Sequence, residues 1–140
     1  MSKIAVIYWS GTGNTEMMAN AVAKGARENG AEAVLLTPTE FDLSMMDDFD
    51  ALAFGCPAMG GEVLEETEFE PMFGAVETKL SGKKIGLFGS YGWGDGEWMR
   101  NWEATCRDDG ALLACEPVIC CEAPDDDALG ACEALGAALI

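Results

Sequence analysis

The chain has 140 residues, 49% of them apolar, enough for one domain with a buried core. Its formal net charge of −17, from 25 acids against 8 Lys and Arg, argues against nucleic-acid binding, which needs cations to neutralise phosphates. There is no histidine, so His-based catalytic triads are excluded and the commonest metal ligand is missing.

No apolar run reaches bilayer length, and Met1-Ser2-Lys3 leads straight into a strand-like run, unlike a signal peptide. A cytoplasmic protein is expected. The acid excess suits either plain solubility or a partner with a basic docking face, found by electrostatic steering. The six cysteines, at 56, 106, 115, 120, 121 and 132, form no C-x-x-C pair and are expected to be reduced. Their spacing gives an iron–sulfur cluster little support.

In chain order, apolar strand-like runs alternate with helical patterns, with no repeat or linker between them. Strands are predicted at Ile4–Trp9, Ala33–Leu36, Ala51–Gly55, Lys84–Gly89 and Leu113–Ile119. Helices are predicted at Thr15–Asn29, Glu68–Leu80, Glu97–Cys106 and Asp126–Leu139, with a short helix or turn at Met45–Phe49 behind a Ser44 cap. Asn14 or Thr15 can cap the first helix, Asn29-Gly30 stops it, and Asp125 caps the last. Trp98 and Trp102, four apart, should face the core or an interface. Continuous apolar strands separated by helices imply a mostly parallel sheet covered on both faces, an α/β doubly wound sandwich in a single domain. Ligands of such folds sit beyond the carboxyl ends of the strands.

Three loops leave carboxyl ends with unusual composition. The first, Ser10-Gly11-Thr12-Gly13-Asn14-Thr15, offers hydroxyls, an amide and backbone N–H groups at a helix start, and carries no Lys or Arg. It lacks the Walker A spacing, and Glu16 stands where a dinucleotide fingerprint needs its third glycine. It can cradle a phosphate through neutral donors; the alternative is an ordinary capped turn. The second, Cys56-Pro57-Ala58-Met59-Gly60-Gly61-Glu62, pairs a rotatable Gly-Gly peptide with a Met exposed at a loop tip. Its alternative is a Gly-Gly turn whose Met tucks into the core. The third, Ser90-Tyr91-Gly92-Trp93-Gly94-Asp95-Gly96, holds two aromatics on a glycine-rich loop where a planar ligand is their natural neighbour. The alternative there is an aromatic folded back onto the surface. Together they imply a phosphorylated planar cofactor.

At these residues the sequence resembles the short-chain flavodoxins of anaerobic bacteria over nearly its whole length. The matching pieces are Tyr8 to Glu16, Gly55 to Gly60, Leu64-Glu65-Glu66 with Glu70-Pro71, and Leu87 to Gly96. The resemblance implies a five-stranded parallel sheet in the order 2-1-3-4-5 with FMN at its switch point. It implies that Ser10, Thr12, Asn14 and Thr15 bind the phosphate, with Gly11 and Gly13 shaping the loop. Met59 would cover one ring face and Trp93 the other, with Pro57 and Ala58 alongside. Gly60 would supply a peptide that turns on reduction, Gly61 would affect how readily it does so, and Glu62 would meet the N3 edge. Ser90, Tyr91, Gly92, Gly94 and Asp95 would add ring and ribityl contacts.

The implied function is a monomeric low-potential one-electron carrier, cycling between semiquinone and hydroquinone and serving redox enzymes with basic docking faces. Each acid at about 10 Å opposes reduction by roughly 0.4 kcal/mol, on the order of 20 mV. Three positions depart from relatives. Pro57 replaces a serine hydroxyl, Gly61 replaces an Asp of some relatives, and Cys121-Glu122-Ala123-Pro124 lacks an amide that others carry. An FMN-dependent NAD(P)H reductase and a flavin-free interaction module are the alternatives from other function classes.

Overall fold

The computed structural model describes residues 2–60, 63–92 and 94–140. Strand β1 (Lys3–Tyr8) leads to helix α1 (Asn14–Glu28) and strand β2 (Glu32–Leu36). A 3-10 turn at Leu43–Asp48 precedes β3 (Ala51–Gly55). Helix α2 (Phe69–Val76), extended by a 3-10 turn at Glu77–Lys79, leads to β4 (Lys84–Tyr91) and α3 (Glu97–Asp108). Two short strands, β5 (Leu112–Leu113) and β6 (Val118–Cys121), come before α4 (Asp126–Ala138).

All strand pairings are parallel, in the order β2-β1-β3-β4-β5, with β6 also pairing with β4. This is the predicted topology, with one change. The fifth strand is two pieces: Lys84 pairs with Leu112, Phe88 pairs with Val118, and the chain leaves the ladder between them. Pro117, which has no N–H to donate, stands just before β6 at this edge. Strand β4 runs two residues beyond its predicted end, to Tyr91, because β6 pairs with it there.

The central strands are buried on both faces, and their period-2 alternation sorts residues between two layers. Ala5, Ile7, Leu52, Phe54, Ile85 and Leu87 face Phe69, Phe73, Trp98 and Trp102 of α2 and α3. Ile4, Val6, Ala51, Ala53 and Phe88 face α1 and α4. Both tryptophans of α3 are thus core residues, as their spacing predicts.

Two caps differ from expectation. The 3-10 turn is capped by Asp42, whose carboxylate accepts from the Ser44 N–H at 3.1 Å, so Ser44 is the capped residue. The α1 cap is Gly13, at φ 96°, while Asn14 and Thr15 are already helical. Asp125 caps α4 as predicted, accepting from the Ala128 N–H at 2.8 Å. All six cysteines are free thiols, and no cluster of three potential metal ligands occurs among the described residues.

Candidate functional site

The carboxyl ends of β1, β3 and β4 bring the three loops to one edge of the sheet. The ladder runs on into the loops. Trp9 N–H donates to Gly55 O at 3.0 Å, Cys56 N–H to Phe88 O at 3.2 Å, and Ala58 N–H to Ser90 O at 3.0 Å. Each loop therefore leaves the sheet from a fixed position.

In the first loop the Ser10 hydroxyl oxygen accepts from the N–H groups of Gly13 (3.0 Å) and Glu16 (3.3 Å). It does the capping that the sequence assigns to Asn14 or Thr15. The N–H groups of Gly11, Thr12, Asn14 and Thr15 find no acceptor among the described residues. Thr15, 1% exposed, and Ser90, 5% exposed, have hydroxyls that meet each other at only 3.5 Å. Unspent backbone donors beside weakly paired hydroxyls, at a helix start with no cation in the loop, fit a phosphate monoester.

The second loop is held from behind. Trp98 Nε1 donates to Cys56 O at 3.2 Å, and Met59 N–H donates to Val63 O at 2.9 Å. Burial pushes the Cys56 thiol up to about 12, which makes it a packing group and no nucleophile. Met59 is half-buried, more enclosed than a loop tip implies. Gly60 is exposed, with nothing near the position of a Cβ, and its φ is not positive.

Glu65 anchors the far end of this segment. Its carboxylate, on a residue 4% exposed, accepts from the N–H groups of Thr67 (2.8 Å), Glu68 (2.7 Å) and Phe69 (2.8 Å) and from the Thr67 hydroxyl. Burial pushes its pKa up, but these four donors outweigh that and bring it below the ordinary value.

In the third loop, Tyr91 is half-buried against Trp98, with ring centroids 5.6 Å apart. Asp95 turns away to an exposed ion pair with Arg100 at 3.0 Å.

One cleft of about 280 Å³ collects Gly11, Thr12, Asn14, Pro57, Ala58, Met59, Ser90, Tyr91 and Gly92. Ser10, Gly13 and Thr15 do not line it themselves; Ser10 and Gly13 shape the loop and the Thr15 hydroxyl meets that of Ser90, which does line it. Gly60, Gly94 and Asp95 do not line it. Gly61, Glu62 and Trp93 lie outside the described residues. The cleft also takes in two residues that the sequence reading did not select, Trp9 and Glu122. Trp9 reads as the last residue of an apolar strand, and its ring lies within 3.0 Å of where a Gly11 Cβ would be. Glu122 reads only as a missing amide.

A larger groove of about 480 Å³ runs between α2 and α3 over Phe73, Trp98 and Trp102. The first and third loops do not line it, and its unpartnered buried donor among the described side chains is a single indole N–H, that of Trp102, with no cradle of backbone donors at a helix start. Chemistry, not volume, selects the smaller cleft.

The family model for flavodoxin matches residues 6–136. A flavodoxin of Clostridium beijerinckii is 47% identical over 121 residues, 86% of this chain and 88% of that protein. A flavodoxin of Megasphaera elsdenii is 46% identical over 113 residues, 79% of this chain and 80% of that one. The solution structure of two-electron reduced Megasphaera elsdenii flavodoxin superposes with a TM-score of 0.89 at 42% identity, covering 97% of both chains.

Proposed function

The chain belongs to the flavodoxin family, and on that premise we propose that it is a low-potential carrier moving one electron at a time between redox enzymes. It is an FMN-binding electron-transfer protein and not an enzyme. When bound, FMN supplies a ring that accepts and releases electrons singly.

The observation that carries the site reading is the meeting of a cation-free donor cradle and a Met-Tyr-Trp wall in one cleft. The N–H groups of Gly11, Thr12, Asn14 and Thr15 hold the phosphate, with the Thr12 hydroxyl beside them. Met59 and Tyr91 enclose the ring and keep water from it. Gly60, with no side chain and open space around it, would offer a peptide free to turn its carbonyl. By the resemblance of their loops to the family's motifs, Trp93 would take the second ring face and Glu62 the N3 edge. A chain of net charge −17 disfavours added negative charge, which supports a low potential.

The acidic surface suits partners with a basic rim, and the carrier reading takes the protein as a cytoplasmic monomer. No helix of the described residues is long and apolar enough to cross a membrane.

Stepwise reduction of the purified protein under visible spectroscopy tests the function. Bound FMN that reduces in two separated one-electron steps is expected; a colourless protein, or both electrons entering together, overturns it. The rate of electron delivery should fall as salt rises, and a flat salt response removes the docking argument.

A further inference from the structure

Strand β6 lies beside the end of β4, pairing Cys121 with Tyr91, and the Glu122 N–H then donates to Tyr91 O at 2.7 Å. This contact places Glu122 at the cleft, where it is the only charged side chain among the described lining residues. Its backbone sits at φ 59°, the single non-glycine positive φ among the described residues. Glutamate is poorly suited to that region, which favours Gly, Asn and Asp.

The conformation is held from several sides: by the Tyr91 carbonyl, by the Cys120 thiol 3.6 Å from Glu122 O, and by the buried Pro124 two residues on. Strain that the surroundings enforce beside a ligand cleft points to a task for the residue. A carboxylate accepts hydrogen bonds and donates none. It also faces no cation in the cleft, whose remaining lining is neutral.

We propose that Glu122 discriminates between redox states of the cofactor, its charge opposing the negative charge that reduction adds and so favouring oxidised over reduced FMN. The proposal rests on the reading of the cleft as the FMN site. Glu122 is exposed to solvent, so its effect is that of a nearby charge in a water-rich dielectric. At contact distance such a charge changes an equilibrium by about fivefold.

Potentiometric titration of the holoproteins tests it. In Glu122→Gln the ratio of fully reduced to oxidised FMN at a fixed applied potential should rise about fivefold over wild type at low salt, and less at high salt. Glu122→Asn, neutral and at ease at positive φ, should show the same rise together with a higher thermal midpoint. Glu122→Asp, which keeps the charge, should stay near the wild-type ratio. An unchanged ratio in both neutral variants overturns the proposal, and so does an Asp variant that shifts as far as the Gln variant. Either result leaves the FMN reading standing, whereas a wild-type protein that takes up no FMN overturns both.

Discussion

The two faces of the sheet are built on opposite principles. Under α2 and α3 the core is aromatic: Phe54 meets Phe73 edge-on at 5.1 Å, and Phe69 meets Trp102 edge-on at 5.4 Å. Under α1 and α4 it is made largely of small residues, including Ala19, Ala23, Ala26, Ala51 and Ala53. There the helix backbones touch. A Cβ on Gly25 would stand 1.9 Å from Glu133 O, and one on Gly136 would stand 2.0 Å from Val22 O. Large rings span a wide gap but tile it imperfectly, and the 480 Å³ groove lies on that side. Small residues leave no such slack.

The contrast makes opposite demands on mutation. Emptying the aromatic face should cost most. Phe69, fully buried, contacts Phe73 and Trp102, and Phe69→Ala should lower unfolding free energy by about 4 kcal/mol in urea titration. A loss below about 1 kcal/mol would show that the groove lets this layer collapse freely.

Filling the other face should cost nearly as much. Gly136→Ala must push the α1 and α4 backbones apart, and a loss of about 3 kcal/mol is expected. Gly130, on the same helix with open space at its Cβ, is the control. Gly130→Ala should stabilise by about 0.5 kcal/mol, because Ala loses less conformational freedom on folding. Equal signs for the two substitutions would deny the close-approach account.

The smallest expected effect depends on pH. Burial, then a hydrogen bond that the protonated Glu77 donates to Asp109, then the charge of Asp109, raise the Glu77 carboxyl to about 7 at the edge of the groove. A carboxyl whose folded pKa is raised adds stability below its ordinary value of 4.5, and that contribution is lost as pH climbs through about 7. Glu77→Gln should therefore match wild type near pH 4 and exceed it by about 1 kcal/mol near pH 8, solvent screening keeping the gain small. Parallel stability curves for the two proteins would exclude the effect.

Much of this was legible without coordinates. Strand β3 matches its predicted bounds of Ala51–Gly55, because a short apolar run between turn signals admits few readings. The loops at 10–15, 56–62 and 90–96 were recognisable from glycines, hydroxyls and aromatics that no core would need. Less legible were features that depend on how the backbone turns and which strands meet. Ser10 caps a helix that starts four residues later only because Gly13 bends the chain back to it. The split of the fifth strand depends on which β4 residues remain free to pair.

By itself, then, the sequence determined the layered parallel fold and the donor-rich, cation-free first loop, since both follow from periodicity and from residue types close together in the chain. Only the tertiary structure decided that Glu122 faces the cleft, that Asp95 turns to Arg100 instead, and that Glu77 meets Asp109. Those outcomes depend on where the backbone carries a side chain after folding, which residue types along the chain do not specify even for a pair as near as Asp95 and Arg100.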